Sequence, residues 1–384
     1  MSETNRWFRV VGISVIVGLC LTILFTGSIE AQNSIADYQQ LISNGSVQSL
    51  TDVVVQISGS GKKLQSGSQE SAILTSLLAR RKQLQMELIK TNPAAFLRST
   101  ISDKVRSSLP TNLQNEVEQE VTTTAYLAVL HIDDFDHPEN SRYRYFIEIQ
   151  PKKTLMSRLS LGRNSTVQDV ERVELFPTRP ISMRSGAQVK IHGYKLAGLM
   201  ALDNNESGTG TNFEVTKEAP EPEAVGNQKT LVLLLKSKAT DSEPFTVEKA
   251  HELVFDGQFQ NFMKEQSYEK ISFSGDVYGW YSIDRDIEDG CMLSFPYVND
   301  IVKEYNIDLS DYDRIVYLLN NAGGGCSFVG KYPFTVNGIT YDISQASMGT
   351  NRFDQPSGWG EQPFTWPNLD FVLSHEVGHS LGVV

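Results

Sequence analysis

His375-Glu376-Val377-Gly378-His379-Ser380-Leu381-Gly382 is the stretch on which the reading of this chain turns. On a helix, a spacing of i, i+4 puts His375 and His379 on one face, where two imidazoles can share one metal ion. Glu376 follows the first histidine and can reach the open side of such an ion. Gly382, three residues past the second histidine, suits a helix that stops and turns sharply. Just upstream, Pro367 precedes Leu369, Val372, Leu373 and Val377, an apolar side on which the helix can pack. The spacing predicts a helix over Leu369–Leu381.

His-Glu-x-x-His is a zinc-hydrolase pattern. Catalytic zinc takes three protein ligands and leaves a fourth position to water, and zinc lowers the pKa of that water from about 15.7 to about 7. Glu376 is the residue type that can take the water's proton, which an amide or alkyl side chain cannot. His375 and His379 are the two ligands expected here. In the longer pattern the third histidine falls at position 385, so the third ligand is expected just beyond the C-terminus. With two ligands, the chain as given is expected to hold zinc weakly and to hydrolyse little. The other four histidines read as structural or solvated. His131 and His137 flank a turn, His192 lies in a strand, and His251 has no histidine four residues later. Asp284, Asp286, Glu288 and Asp289 resemble a calcium loop, but the required glycine comes one place late, at Gly290. Structural Ca2+ is therefore without support. Phe273-Ser274-Gly275-Asp276 is similar to the Phe-x-Gly-Asp segment with which some zinc-peptidase propeptides place an aspartate on the metal. Its strand–turn context, after the linker, makes it structural.

The 384 residues are too many for one ordinary domain. A net charge of −12 argues against a nucleic-acid surface and against a polybasic membrane patch. Arg6 and Arg9 precede an apolar run from Val10 to about Phe25, then small and polar residues to Ala31. That order is a secretory signal spanning 1–31, with an uncleaved membrane anchor as the alternative. In either case the remainder is exported, secreted or held at the cell surface. Cys20 lies inside the signal, which leaves Cys291 and Cys326 to form one disulfide, worth roughly 4 kcal/mol for a loop of that length.

Residues 32–120 read as a mostly helical region. Ile73, Leu74, Leu77, Leu78, Leu84, Leu88 and Ile89 recur at helical steps, and Asn92-Pro93 breaks and restarts the helix. From 121 to 202 the period changes to two, giving a small β-rich domain, a partly open barrel with strands at Val121–Ile132, Arg142–Ile149, Val189–Tyr194 and Leu196–Leu202. The stretch 203–228 is polar, with Gly, Pro and Glu, and reads as a flexible linker and candidate activation site. Residues 229–384 alternate strand and helix as an α/β domain. Thr230–Leu235 and Arg314–Leu319 look like buried strands, Phe245–Lys264 looks helical, and Asn337-Gly338 favours a tight hairpin turn. The fold class expected is thus α+β and multidomain.

At HEVGHSLG (375–382) and NFMKEQSYEKISFSGDVYGWY (Asn261–Tyr281) the chain resembles a secreted metzincin peptidase, close to the immune-inhibitor-A and gametolysin-like families. The resemblance covers about 228–384. It implies the upper part of a metzincin catalytic domain, with zinc ligands at His375 and His379 and a general base at Glu376. It also implies a third histidine and a methionine-containing turn later in the fold, which Met348 precedes and cannot supply. The segment before the linker then resembles a propeptide that assists folding and covers the cleft. With no cysteine between Ala31 and the linker, a thiolate cannot hold the zinc latent. Protein or peptide substrates are expected. Two alternatives stand beside this reading: a gluzincin with a downstream Glu ligand, mildly disfavoured by Gly382, and a non-catalytic surface or binding protein with a peptidase-like half.

Overall fold

A computed structural model describes residues 35–59, 69–135, 137–149, 171–204, 212–222, 224–238, 242–283, 295–320, 324–336, 339–350 and 369–383. The expected signal at 1–31 and the Asp284–Gly290 loop lie outside them. Among the described residues no helix is long and apolar enough to cross a membrane.

The helical region opens with α1 (Ile35–Asn44), α2 (Val47–Gly59) and α3 (Gln69–Thr91). Leu50 and Val54 of α2 pack, fully buried, with Leu74, Leu77 and Leu78 of α3. Within the region expected to be mostly helical, the apolar periodicity read from sequence begins only at Ile73, in α3. The second helix is held by that tertiary contact, which outweighs weak local propensity. Asn92 caps α4 (Pro93–Arg98) by accepting from the Ala95 amide, with Pro93 in the first turn. After α5 (Asp103–Ser108), Glu118 carries the chain into the sheet. The Arg81 guanidinium, also buried, donates to both Glu118 carboxylate oxygens at 2.7 and 2.8 Å, to Thr51 Oγ1 and to the Ser99 carbonyl.

The strands that follow are β1 (Gln119–Asp133), β2 (Arg142–Ile149), β3 (Glu171–Pro177), β4 (Gln188–Leu196), β5 (Leu199–Leu202) and β6 (Phe213–Lys217). The first half of β1 pairs with β4 and the second half with β2; β2–β3, β3–β5 and β5–β4 pairings complete a ring. The barrel expected to be partly open is closed by the β1–β4 ladder. Its interior holds Leu127, Val129, Tyr145, Ile147, Val173, Val189 and Ile191. The stretch expected as a flexible linker is in part strand, because β6 pairs with β4 and Phe213 packs on the barrel core.

The C-terminal unit comprises β7 (Gly226–Ser237), α6 (Val247–His251), a π-helical turn at Glu252–Asp256, α7 (Gln258–Gln266), β8 (Ile271–Ile283), α8 (Phe295–Glu304), β9 (Arg314–Leu319), β10 (Gly325–Phe328), β11 (Tyr332–Val336), β12 (Ile339–Gly349) and α9 (Leu369–Ser380). The single helix expected across Phe245–Lys264 is interrupted at Gly257, where a Cβ would come 2.8 Å from the Leu253 carbonyl. Strand order is β8-β7-β9-β12-β10. Strands β8, β7, β9 and β12 run parallel, while β10 is antiparallel to β12. Alternation along β7 divides two cores. Leu231, Leu233 and Leu235 face α8, while Val232 and Leu234 face α6, α7 and α9.

Strand β1 joins the two units. Its last four residues pair with β10, in the register Leu130↔Phe328, His131↔Ser327, Ile132↔Cys326 and Asp133↔Gly325. Ala128, Leu130 and Ile132 enter the C-terminal core, whereas Leu127 and Val129 enter the barrel. The fold is mixed α/β, with a twelve-stranded mixed sheet among the described residues.

Candidate metal centre

Helix α9 is fixed on the sheet by Leu369, Val372, Leu373 and Val377, which pack with Val316, Leu318, Ala346 and Met348. It ends in a Schellman turn. The Gly382 amide donates to the His379 carbonyl at 2.8 Å and the Val383 amide to the Gly378 carbonyl at 3.1 Å. Gly382 sits at φ +86°, the left-handed conformation that this turn requires. The turn returns the Val383 carbonyl to His379 Nδ1, at 3.0 Å. A carbonyl can only accept, so Nδ1 carries the proton and Nε2 keeps its lone pair.

That lone pair meets three other donor atoms. His379 Nε2 lies 3.1 Å from His375 Nε2, 3.0 Å from His131 Nδ1 and 3.3 Å from Asp133 Oδ2. His131 Nδ1 is 2.8 Å from Asp133 Oδ2, and Asp133 Oδ1 is 3.1 Å from His375 Nε2. One ligand atom from each of the four residues falls within 4.8 Å of all the others. Tetrahedral ligands about 2.0–2.1 Å from zinc stand roughly 3.3–3.4 Å apart. The donor set and its spacing therefore fit a four-coordinate ion of that size. Burial alone would raise the Asp133 pKa, but hydrogen bonds from His131 and His375 outweigh it and hold the carboxyl well below the usual carboxylate range.

Aromatic rings pack beside the cluster. Tyr143 packs 4.5 Å from the His131 ring and Phe135 5.3 Å from that of His375. The side chains of Asp133 and His379 are under 10% exposed and that of His375 is 34% exposed, so the cluster opens on the His375 side. Glu376 lies under it, fully buried, and neither carboxylate oxygen has a hydrogen-bond partner among the described protein atoms. Burial, then the charge of Asp133, pushes its pKa well above the ordinary value. Gly325 makes the room: a Cβ there would collide with Glu376 Oε1 and stand 2.8 Å from its Cδ.

His375, His379 and Glu376 are thus together, as their spacing predicted. The fold adds His131, which sequence reading took for structural or solvated, and Asp133, which it did not single out. Two metal-binding side chains were expected within this chain, and four converge. The signal was local: His131-Ile132-Asp133 at a strand end sends both polar side chains to one face. What placed them at α9 was the pairing of β1 with β10, which no local pattern encodes. The remaining histidines lie elsewhere. His192 meets Thr122 and Glu120, His137 meets Glu139, and His251 meets Asp256. Asp276 accepts from the Tyr312 hydroxyl at 2.6 Å, a structural role. Cys326 is fully buried on β10, and Cys291 lies outside the described residues. Compared with models of known families and with curated proteins, the chain matches none.

Proposed function

We propose that this chain is the precursor of an exported zinc-dependent endopeptidase of metzincin type. The observation that carries the reading is the meeting of His375 and His379 on one turn of α9, with Glu376 between them in sequence and beside them in space. The strand order of the C-terminal unit, three parallel pairings and an antiparallel β10 next to the metal helix, supports it. Zinc, when bound, would supply Lewis-acid polarisation of a water and of a scissile carbonyl. The chain's own residues do the rest. His375 and His379 hold the ion, and the Val383 carbonyl keeps His379 in the metal-binding tautomer. Glu376 accepts the proton of the attacking water and delivers it to the departing amine. A peptide can lie along β10 only after β1 has left that edge, so the described form belongs to the precursor. Export through the 1–31 signal, a Cys291–Cys326 disulfide and activation by cutting within 203–228 are parts of the same proposal.

A second reading has one observation in its favour. Four protein ligands with no open position describe a structural zinc site rather than a catalytic one, as in a non-catalytic binding protein. The two readings part in a hydrolysis assay on a denatured protein substrate, using full-length protein nicked between 203 and 228, with Glu376→Ala as control. Hydrolysis by the wild type and its loss in Glu376→Ala is the expected result. Equal hydrolysis in both sinks the mechanism, and none in either gives the structural reading the lead.

A further inference from the structure

We propose that Arg314 anchors a buried site for a small monovalent anion of chloride size, beneath the last turn of α9. This stands apart from the metal centre and from the peptidase reading. Arg314 opens β9 and is 2% exposed, yet its guanidinium makes a single polar contact among the described residues. Nε donates to Ser380 Oγ at 2.8 Å. Nη1 is buried and has no hydrogen-bond partner among the described protein atoms. The Phe273 ring lies beside the head, its centroid 5.5 Å from Cζ. A buried guanidinium ordinarily faces a carboxylate. Asp313, one residue earlier, instead accepts from the Lys229 amide at 2.9 Å. Burial pushes the Arg314 pKa down to about 10, with the Asp313 charge working against the fall, so the head is charged at neutral pH.

An unpaired charge in a core is unfavourable, because nothing there replaces the water it has lost. A monovalent anion at Nη1 balances it one for one. A divalent anion leaves net charge in the core and must shed a tighter hydration shell, which excludes sulfate and phosphate. The surroundings suit a small ion. Arg314 pairs with Thr230 of β7 and Ser344 of β12, both buried, and on these parallel strands aligned residues share a face. Ser380 completes the row from α9. All three side chains are small, and all three carry hydroxyls. Thr230 donates to the Gln228 carbonyl at 3.2 Å, Ser344 to that of Asp313 at 3.4 Å and Ser380 to that of Val377 at 2.7 Å. The first two bonds are long, and a hydroxyl proton turns readily toward an anion. The site ties the end of α9 to the start of β9, since the guanidinium that holds the anion also holds Ser380.

The test uses full-length protein in excess chelator, which keeps halide away from any zinc. It is melted in chloride from zero to about 300 mM, with sodium gluconate holding the ionic strength constant. For a site half-filled at about 10 mM, Tm of the wild type should rise by about 4–8 °C. Bromide should act as chloride does, and sulfate should not. Arg314→Met should melt at a temperature independent of halide, while Arg314→Lys keeps the charge and should keep a response. Crystals of the wild type grown in bromide should show an anomalous peak beside Arg314 Nη1, a readout that needs no variant to fold. Wild-type melting that ignores chloride and bromide overturns the proposal. So does an Arg314→Met protein that responds as the wild type does, and so does bromide density that avoids Arg314. None of these readouts depends on zinc or on hydrolysis, so the peptidase reading stands or falls separately, on the Glu376→Ala comparison.

Discussion

Replacing Glu376 with leucine should make the protein more stable and abolish any hydrolysis. The side chain is wholly buried, and both its oxygens lack a hydrogen-bond partner among the described protein atoms. A buried polar group left unsatisfied costs about 1–3 kcal/mol, and leucine removes the group at similar volume. The opposing term is overpacking, which also runs to about 1–3 kcal/mol when a core has no space. Here space exists, because Gly325 presents no Cβ to the end of the side chain. Desolvation should therefore win, giving a net gain of about 1–2 kcal/mol. For a unit of roughly 150–250 residues each kcal/mol moves Tm by about 2–4 °C, so the rise should be about 2–8 °C. Calorimetry in excess chelator is the assay, since Glu376 is not among the converging ligands and the metal's own stabilisation is then absent. Glu376→Gln is the control. It keeps a buried polar head without partners and should melt close to wild type. A leucine variant that melts at or below both others refutes the reasoning and means that Glu376 is satisfied in solution.

Gly325→Ala forces a Cβ onto Glu376 and should cost about 1–3 kcal/mol; in a Glu376→Ala background the cost should vanish, and a double-mutant cycle on chemical melts reads the coupling. Two glycines of the metal helix should respond in opposite directions. Gly378 has open space where a Cβ would stand, so Gly378→Ala should stabilise by about 0.5–1 kcal/mol. Gly382 is at φ +86° with Pro222 Cγ 2.8 Å from a built Cβ, so Gly382→Ala should destabilise by at least about 1 kcal/mol and weaken zinc binding by releasing His379 from the Val383 carbonyl. Arg81→Met leaves Glu118 buried without its partner at the root of β1, and should cost about 3–5 kcal/mol in urea unfolding.

Helix α9 was legible because its information is local: two histidines and a carboxylate within five residues, an apolar side, and a glycine at the stop. β2 and β9 were legible for the same reason, β2 through its alternation and β9 through an unbroken apolar run. What sequence could not give were the elements whose stability is tertiary. α2 is held by α3, β6 by a ladder to β4, and β10 is only four residues long. His131 and Asp133 fall in the same class. Their side chains are unremarkable in β1 and acquire chemistry only through a strand pairing across nearly two hundred positions of sequence.

That pairing also constrains how the site can open. Residues 127–132 of β1 are hydrogen-bonded to β2, and Leu127 and Val129 lie in the barrel core. β1 cannot peel from β10 alone without exposing those side chains and breaking a second ladder, at about 2–5 kcal/mol for each large apolar residue lost from a core. The lower-cost route leaves the barrel strands paired and separates them as a body, breaking the four-residue ladder to β10, the bonds of Val329 to Val129 and Ser185, the burial of Ala128, Leu130, Ile132 and Val329, and the metal contacts. Amide exchange distinguishes the routes. After nicking within 203–228 and chelation, body separation exposes the amides of 325–328 while those of 127–129 stay protected by the barrel. Peeling would expose both segments together.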